Sequence, residues 1–94
     1  MKKIDLEKKV IINKSNIIFK EIGGETIFLN RKNKKLYELN ETASFIWSKV
    51  NKKVPIKKII KNLSSKYNIE EKKAKKDVSE FIKDCLSKKI FIIE

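Results

Sequence analysis

Ninety-four residues hold one modest core and no deep enclosed chamber. With no histidine and a single cysteine, the chain excludes a Cys/His zinc site, an internal disulfide and every catalytic arrangement that needs an imidazole. Its net charge of +12 favours acidic partners, yet Arg31 is the only arginine among 24 basic residues, and base-edge readout prefers the arginine fork to the lysine point charge.

No run of about 18 apolar residues exists, so no membrane span is expected. Lys2 and Lys3 are followed by Asp5 and Glu7 rather than by an apolar signal block, and a cytoplasmic location is expected. The first fifteen residues allow either an additional strand or a flexible arm. Ile4 and Leu6 alternate, and Val10-Ile11-Ile12 is β-branched. Asn13-Lys14-Ser15-Asn16 reads as a turn. Ile17–Ile22 and Glu25–Asn30 are strands joined by Gly23-Gly24, a pair suited to the positive φ of two-residue hairpin turns. Arg31–Lys34 is a polar turn in which Asn33 tolerates the left-handed conformation. Lys35–Leu39 is the third strand of an antiparallel meander, which leaves it at an edge. Alternation puts Lys35, Tyr37 and Leu39 on one face and Leu36 and Glu38 on the other.

Asn40 stands at the joint where the period changes from two to helical. Its side chain can cap a helix over about Glu41 to Lys52, with Ala43, Ile46, Trp47 and Val50 on one side. A second helix opens near Pro55, whose missing N–H costs nothing in a first turn. It carries Ile56, Ile59, Ile60, Leu63 and Tyr67 on one face and ends at Asn68. Glu70 and Glu71 open a third helix, which runs through Ala74, Val78, Phe81, Ile82, Cys85 and Leu86 to Lys88 and Lys89. Ile90–Ile93 is an apolar tail expected to pack back onto the domain. The predicted fold is α+β and winged-helix-like: a three-stranded antiparallel meander followed by three helices, in one domain over residues 1–94.

Chemistry is largely missing. The two glycines are adjacent, so no glycine-rich phosphate loop is available. Glu70 with Glu71 and Asp77 with Glu80 lie among lysines and read as solvated faces with i,i+4 partners. Cys85 falls in a helical apolar stripe and reads as a small buried hydrophobe. The expectation is a binding module: no enzyme, no metal and no cofactor.

Four segments, in order, resemble the PqqD family, the peptide-binding domains called RiPP recognition elements. Leu36-Tyr37-Glu38-Leu39-Asn40-Glu41-Thr42-Ala43 resembles the family's strand-to-helix signature, and Ile46-Trp47 its helical Ile-Trp. Ile59-Ile60-Lys61-Asn62-Leu63 with Tyr67 is similar to its second helix. Asp77 to Leu86 is similar to the Asp-Val-x-x-Phe-Leu-x-x-Leu pattern of its third helix. The likeness spans about Ile17 to Ile93. The chain departs from the family at three points: it has no Gly in Asn51-Lys52-Lys53-Val54, Pro55 stands where Ser or Thr is usual, and Lys89 stands where Gly is usual.

The resemblance implies a non-catalytic carrier. A leader segment of a ribosomally made precursor peptide would add as a strand to the third strand, beside the third helix. The carrier would then present the peptide to a modifying enzyme, such as a radical-SAM enzyme or a leader protease. Strand addition draws affinity from the backbone and specificity from side-chain pockets. The residues expected at that site are Lys34, Lys35, Leu36, Tyr37, Glu38 and Leu39 of the strand, and Lys73, Lys76, Asp77, Phe81 and Asp84 of the helix. Phe81 would wall an apolar pocket, and Lys34, Lys35, Lys73 and Lys76 would attract acidic leader residues. The alternative is a small winged-helix DNA-binding protein. Against it, the helix that would enter the groove carries Glu70, Glu71, Asp77, Glu80 and Asp84, which repel phosphate, and no arginine.

Overall fold

A computed structural model describes residues 5–94; Lys2, Lys3 and Ile4 lie outside them. The elements in chain order are strands β1 (Val10–Ile12), β2 (Ile17–Ile22), β3 (Glu25–Asn30) and β4 (Lys35–Leu39), helices α1 (Glu41–Asn51), α2 (Ile56–Tyr67) and α3 (Glu71–Ser87), and strand β5 (Phe91–Ile93). The expected meander is present as an antiparallel sheet of order β2-β3-β4. Gly23 and Gly24 turn its first hairpin with φ of 55° and 82°, as a primed turn requires.

The second turn differs in detail from its expected form. Lys34, not Asn33, takes the left-handed conformation, with φ 61°. Its N–H bonds back to the Asn30 carbonyl at 2.7 Å. Asn33 works through its side chain instead: Oδ1 accepts from the Lys35 N–H at 2.9 Å and Nδ2 donates to the Tyr37 hydroxyl at 3.2 Å.

A second small sheet holds the ends of the described chain together. β1 pairs antiparallel with β5, matching Val10 to Ile93 and Ile12 to Phe91. The C-terminal apolar run does pack back onto the domain, with Ile90 and Phe91 buried, and it does so as a paired strand. The segment before β1 has a further task. Pro55 makes no side-chain cap for α2. The carbonyls of Lys8 and Leu6 accept from the Ile56 and Lys57 N–H groups at 3.2 and 2.9 Å, satisfying donors that a helix start leaves open.

All three helices end on a residue with positive φ. Lys53 (61°) follows α1, Asn68 (51°) ends α2 and Lys89 (60°) follows α3. After α3 the Ile90 N–H bonds the Cys85 carbonyl and the Lys89 N–H bonds the Leu86 carbonyl, the paired bonds of a Schellman ending. After α1 the Val54 and Lys53 N–H groups do the same with Lys49 and Val50. Glycine adopts this conformation without a Cβ penalty, whereas lysine bears a cost of about 1–2 kcal/mol. Lys53→Gly and Lys89→Gly are each expected to raise stability by about 0.5–1 kcal/mol, because glycine's greater unfolded-state entropy offsets part of the gain. Urea denaturation of each variant measures this, and no gain at either position would show that these backbones carry no strain.

The inner face of the sheet and the helices close one core. Trp47 is its centre: fully buried and stacked on Phe28 with ring centroids 4.8 Å apart. Its edges meet Phe19 at 5.4 Å and Phe91 at 5.3 Å. Ala74, Val78, Ile82 and Cys85 of α3 are buried against α2, where Ile56, Ile59, Ile60 and Leu63 are buried. Among the described residues no helix covers the outer face of the sheet, where Ile18, Ile22 and Leu36 are exposed.

Candidate functional site

β4 lies at one edge of the meander. The strand that could have covered it, β1, pairs with β5 instead, so among the described residues nothing pairs with β4 on its far side. β2 forms the other edge. Its first residue is already engaged, because the Ile17 N–H bonds the Asn13 carbonyl at 2.9 Å.

A buried serine reveals which β4 groups face outward. The Ser44 hydroxyl accepts from the Thr26 N–H at 2.9 Å and donates to the Leu39 carbonyl at 3.2 Å. Thr26 and Leu39 are opposite each other in the register, so their backbone groups point toward one another with the hydroxyl between them. In a strand the backbone groups alternate in direction along with the side chains. Lys35, Tyr37 and Leu39 therefore turn their backbone groups to β3, and Leu36 and Glu38 turn theirs out to the open edge. A guest strand meets two N–H and two C=O groups there. Ser44 also ties α1 to the sheet. Its loss would strand the N–H of Thr26, a residue only 1% exposed. Ser44→Ala is expected to cost about 1–3 kcal/mol, measured by urea unfolding.

The side chains divide as expected. Tyr37 and Leu39 are half-buried on the inner face, while Lys34, Lys35, Leu36 and Glu38 are exposed. Tyr37 stacks on Phe28 at 4.8 Å. From there an aromatic series runs through Trp47 and Phe91 to Phe81 of α3, which meets Phe91 edge-on at 5.9 Å. Tyr37 and Phe81 are thus the two ends of one packed line from edge strand to helix.

On α3, helical spacing puts Lys73, Asp77, Phe81, Asp84 and Lys88 along one border of the buried stripe. Asp77 accepts from Lys73 and Asp84 from Lys88, each at 3.2 Å. Lys88 joins Tyr37, Asn30, Lys32, Asn33 and Ile90 in lining a cleft of about 410 Å³ at the C-terminal end of the helix. Lys76 is placed elsewhere: about 100° around the helix from Asp77, on the side opposite Ala74 and Val78. No hydrogen bond or ion pair among the described residues joins Lys73, Asp77 or Asp84 to β4.

A concavity of about 820 Å³ opens at the far end of β4. Glu21, Glu25 and Glu41 line it with Phe45, Lys66 and Tyr67. Burial, and then the Glu41 carboxylate it bonds at 3.1 Å, raise the Tyr67 phenol above its ordinary value. Cys85 is buried, and desolvation pushes its thiol up to about 12, so it is held as a neutral apolar group. Among the described residues no group of three potential ligands can hold a metal, and no helix is long and apolar enough to cross a membrane.

Comparison with known proteins follows this geometry. The family model for coenzyme PQQ synthesis protein D matches residues 25–90, from the start of β3 to the residue before β5. The chain belongs to the PqqD family. TbiB1, solved in complex with the TbiA(beta) leader peptide, shares the fold of this PqqD-family chain with a TM-score of 0.79 at 17% identity, covering 86% of this chain and 93% of that one. Lasso peptide synthetase B1, complexed with the leader peptide, has a TM-score of 0.75 at 16% identity, covering 92% and 98%. No curated protein sequence matches. The PqqD match includes β3, β4, Ser44, Trp47 and all of α3, and leaves out β1, β2 and β5.

Sequence reasoning missed Ser44 and Lys88. A serine one turn into a helix carries no signal of its own; only its place opposite a strand end gives it a role. Lys88 reads as a helix-end charge, and its position beside Tyr37 depends on the turn after α3.

Proposed function

We propose that this PqqD-family chain captures the leader segment of a ribosomally made precursor peptide as an added strand on β4. The guest bonds the outward backbone groups of Leu36 and Glu38, and its inward side chains enter the space between Tyr37 and the Phe81 border of α3. The chain carries no chemistry of its own and presents the bound peptide to a modifying enzyme, such as a radical-SAM enzyme or a leader protease. Lys34, Lys35, Lys73 and Lys88 form a basic rim that draws acidic leader residues. Lys76 contributes only to the surrounding field.

The open β4 edge carries this reading, because an unpaired strand beside a helix is where strand addition occurs. The family membership supports it, as do two structural relatives that were each solved with a leader peptide.

An amide-shift titration with the leader segment tests it. The largest changes are expected at residues 34–39 and along one side of residues 73–84. Changes confined to the cleft of Phe45 and Tyr67 would refute strand addition to β4. Raising salt from about 50 to 200 mM should weaken binding only mildly, whereas DNA binding through several phosphates would fall by orders of magnitude.

A further inference from the structure

The guest edge uses the side of the sheet and leaves its outer face idle. Ile18, Leu29 and Leu36 stand directly across from one another on that face, and Lys20, Ile27 and Glu38 form the next row. Ile18, Ile22 and Leu36 are 48%, 56% and 69% exposed. With the half-buried Ile27 and Leu29 they form one small exposed apolar patch.

The central strand identifies the partner. Along the outer face β3 reads Glu25, Ile27, Leu29. The alternation continues to Arg31, whose N–H bonds the Asn16 carbonyl at 2.9 Å and so keeps the direction of the ladder. The pattern is acid, apolar, apolar, base, with Phe28 at its midpoint. A two-fold axis crossing β3 at Phe28, perpendicular to the strands, exchanges Glu25 with Arg31 and Ile27 with Leu29. A second copy laid face to face about that axis sets Glu25 against Arg31 twice and packs four apolar side chains between them. The other two-fold, running along β3, would set the Arg31–Lys34 turn against itself and Glu25 against Glu25, so charge selects the first. Neither Glu25 nor Arg31 has an ion-pair partner in its own chain among the described residues. Arg31 is also the only arginine, the side chain whose planar fork suits a carboxylate.

We propose that the protein forms a weak two-fold dimer through the outer face of β2, β3 and β4. Face-to-face sheets sit about 10 Å apart with strands within about 30° of alignment. Three short strands offer a patch of roughly 14 by 20 Å, well below the ~800 Å² per partner of a standard stable interface. So small a contact makes a transient association at high concentration rather than a permanent assembly. The outward groups of Leu36 and Glu38 lie in the plane of the sheet and stay free, so the dimer stands or falls independently of leader binding.

Sedimentation equilibrium of the whole chain from about 10 μM to 1 mM is the test. The weight-average mass is expected to rise from monomer toward dimer across that range. Arg31→Glu and Glu25→Arg should each raise the dissociation constant at least about tenfold, and the double variant should return it to near the wild-type value. Thermal melts by circular dichroism establish that each variant is folded. A wild-type monomer at the highest concentration would overturn the proposal, as would single reversals without effect or a double variant that fails to recover.

Discussion

Leu36→Pro is expected to weaken leader binding at least tenfold while leaving the melting temperature within a few degrees of wild type. The Leu36 N–H faces the open edge, as the Ser44 bridge between Thr26 and Leu39 indicates, so proline there removes no bond of the protein's own sheet. The Leu36 side chain is 69% exposed and contributes little to the core. A guest strand, by contrast, loses one N–H donor, about 0.5–1.5 kcal/mol net, and meets the proline ring along its line of approach. Tyr37→Pro is the control. Its N–H faces β3, so the same substitution one residue on removes an internal ladder bond and should destabilise the fold itself. Calorimetric titration with the leader segment and thermal melts of both variants read the two effects separately. Undiminished binding by Leu36→Pro would mean that the guest does not use the β4 edge.

Trp47→Ala is expected to cost about 3–5 kcal/mol, which corresponds to a fall in melting temperature of roughly 15–30 °C for a chain of this size. Trp47 is fully buried and contacts three other aromatic rings, so no neighbour can fill the space it leaves. It also carries a defect: Nε1 is buried with no hydrogen-bond partner among the described residues. An unmet donor costs about 1–3 kcal/mol, so ring packing must more than offset it. Trp47→Phe removes the orphan N–H together with part of the ring, and a loss of less than half that of Trp47→Ala is expected. Chemical denaturation of the two variants checks the comparison. Equal losses would show that neither the ring volume phenylalanine retains nor the removal of the orphan N–H stabilises this position.

Much of this architecture is legible in the sequence because local signals agree there. Gly23-Gly24 between two β-branched runs has few structural meanings, and Asn40 before an apolar stripe of period 3.6 has few more. Asn40 does cap α1, accepting from the Ala43 N–H at 2.8 Å. The edge position of Lys35–Leu39 follows from strand order alone. What stayed hidden depends on contacts between distant residues. Val10-Ile11-Ile12 and Phe91-Ile92-Ile93 are each too short to reveal a partner, and their pairing brings together opposite ends of the described chain. The capping of α2 by Leu6 and Lys8 carbonyls involves no side chain and so leaves no trace in residue identity. Lys34, Lys53 and Lys89 adopt a conformation that favours glycine or asparagine, and in each case the surrounding hydrogen bonds override the local preference. The same limit applies to the α3 border. Lys76 and Asp77 are neighbours in sequence, but one residue of helical rotation puts Asp77 on the border of the buried stripe and Lys76 on the opposite side.

The pairing of β1 with β5 bears on the order in which the molecule assembles. Val10 meets Ile93 across nearly the whole length of the chain, so this contact closes the longest loop and has the greatest entropic cost. The hairpins of β2, β3 and β4 close loops of a few residues and need not wait for it. Any opening of the terminal ladder takes the borrowed carbonyls away from the start of α2 with it. Residues 25–44, which include the open β4 edge, are joined through short loops, and amide exchange at Phe28 is expected to remain slow after exchange at Ile11 has become fast.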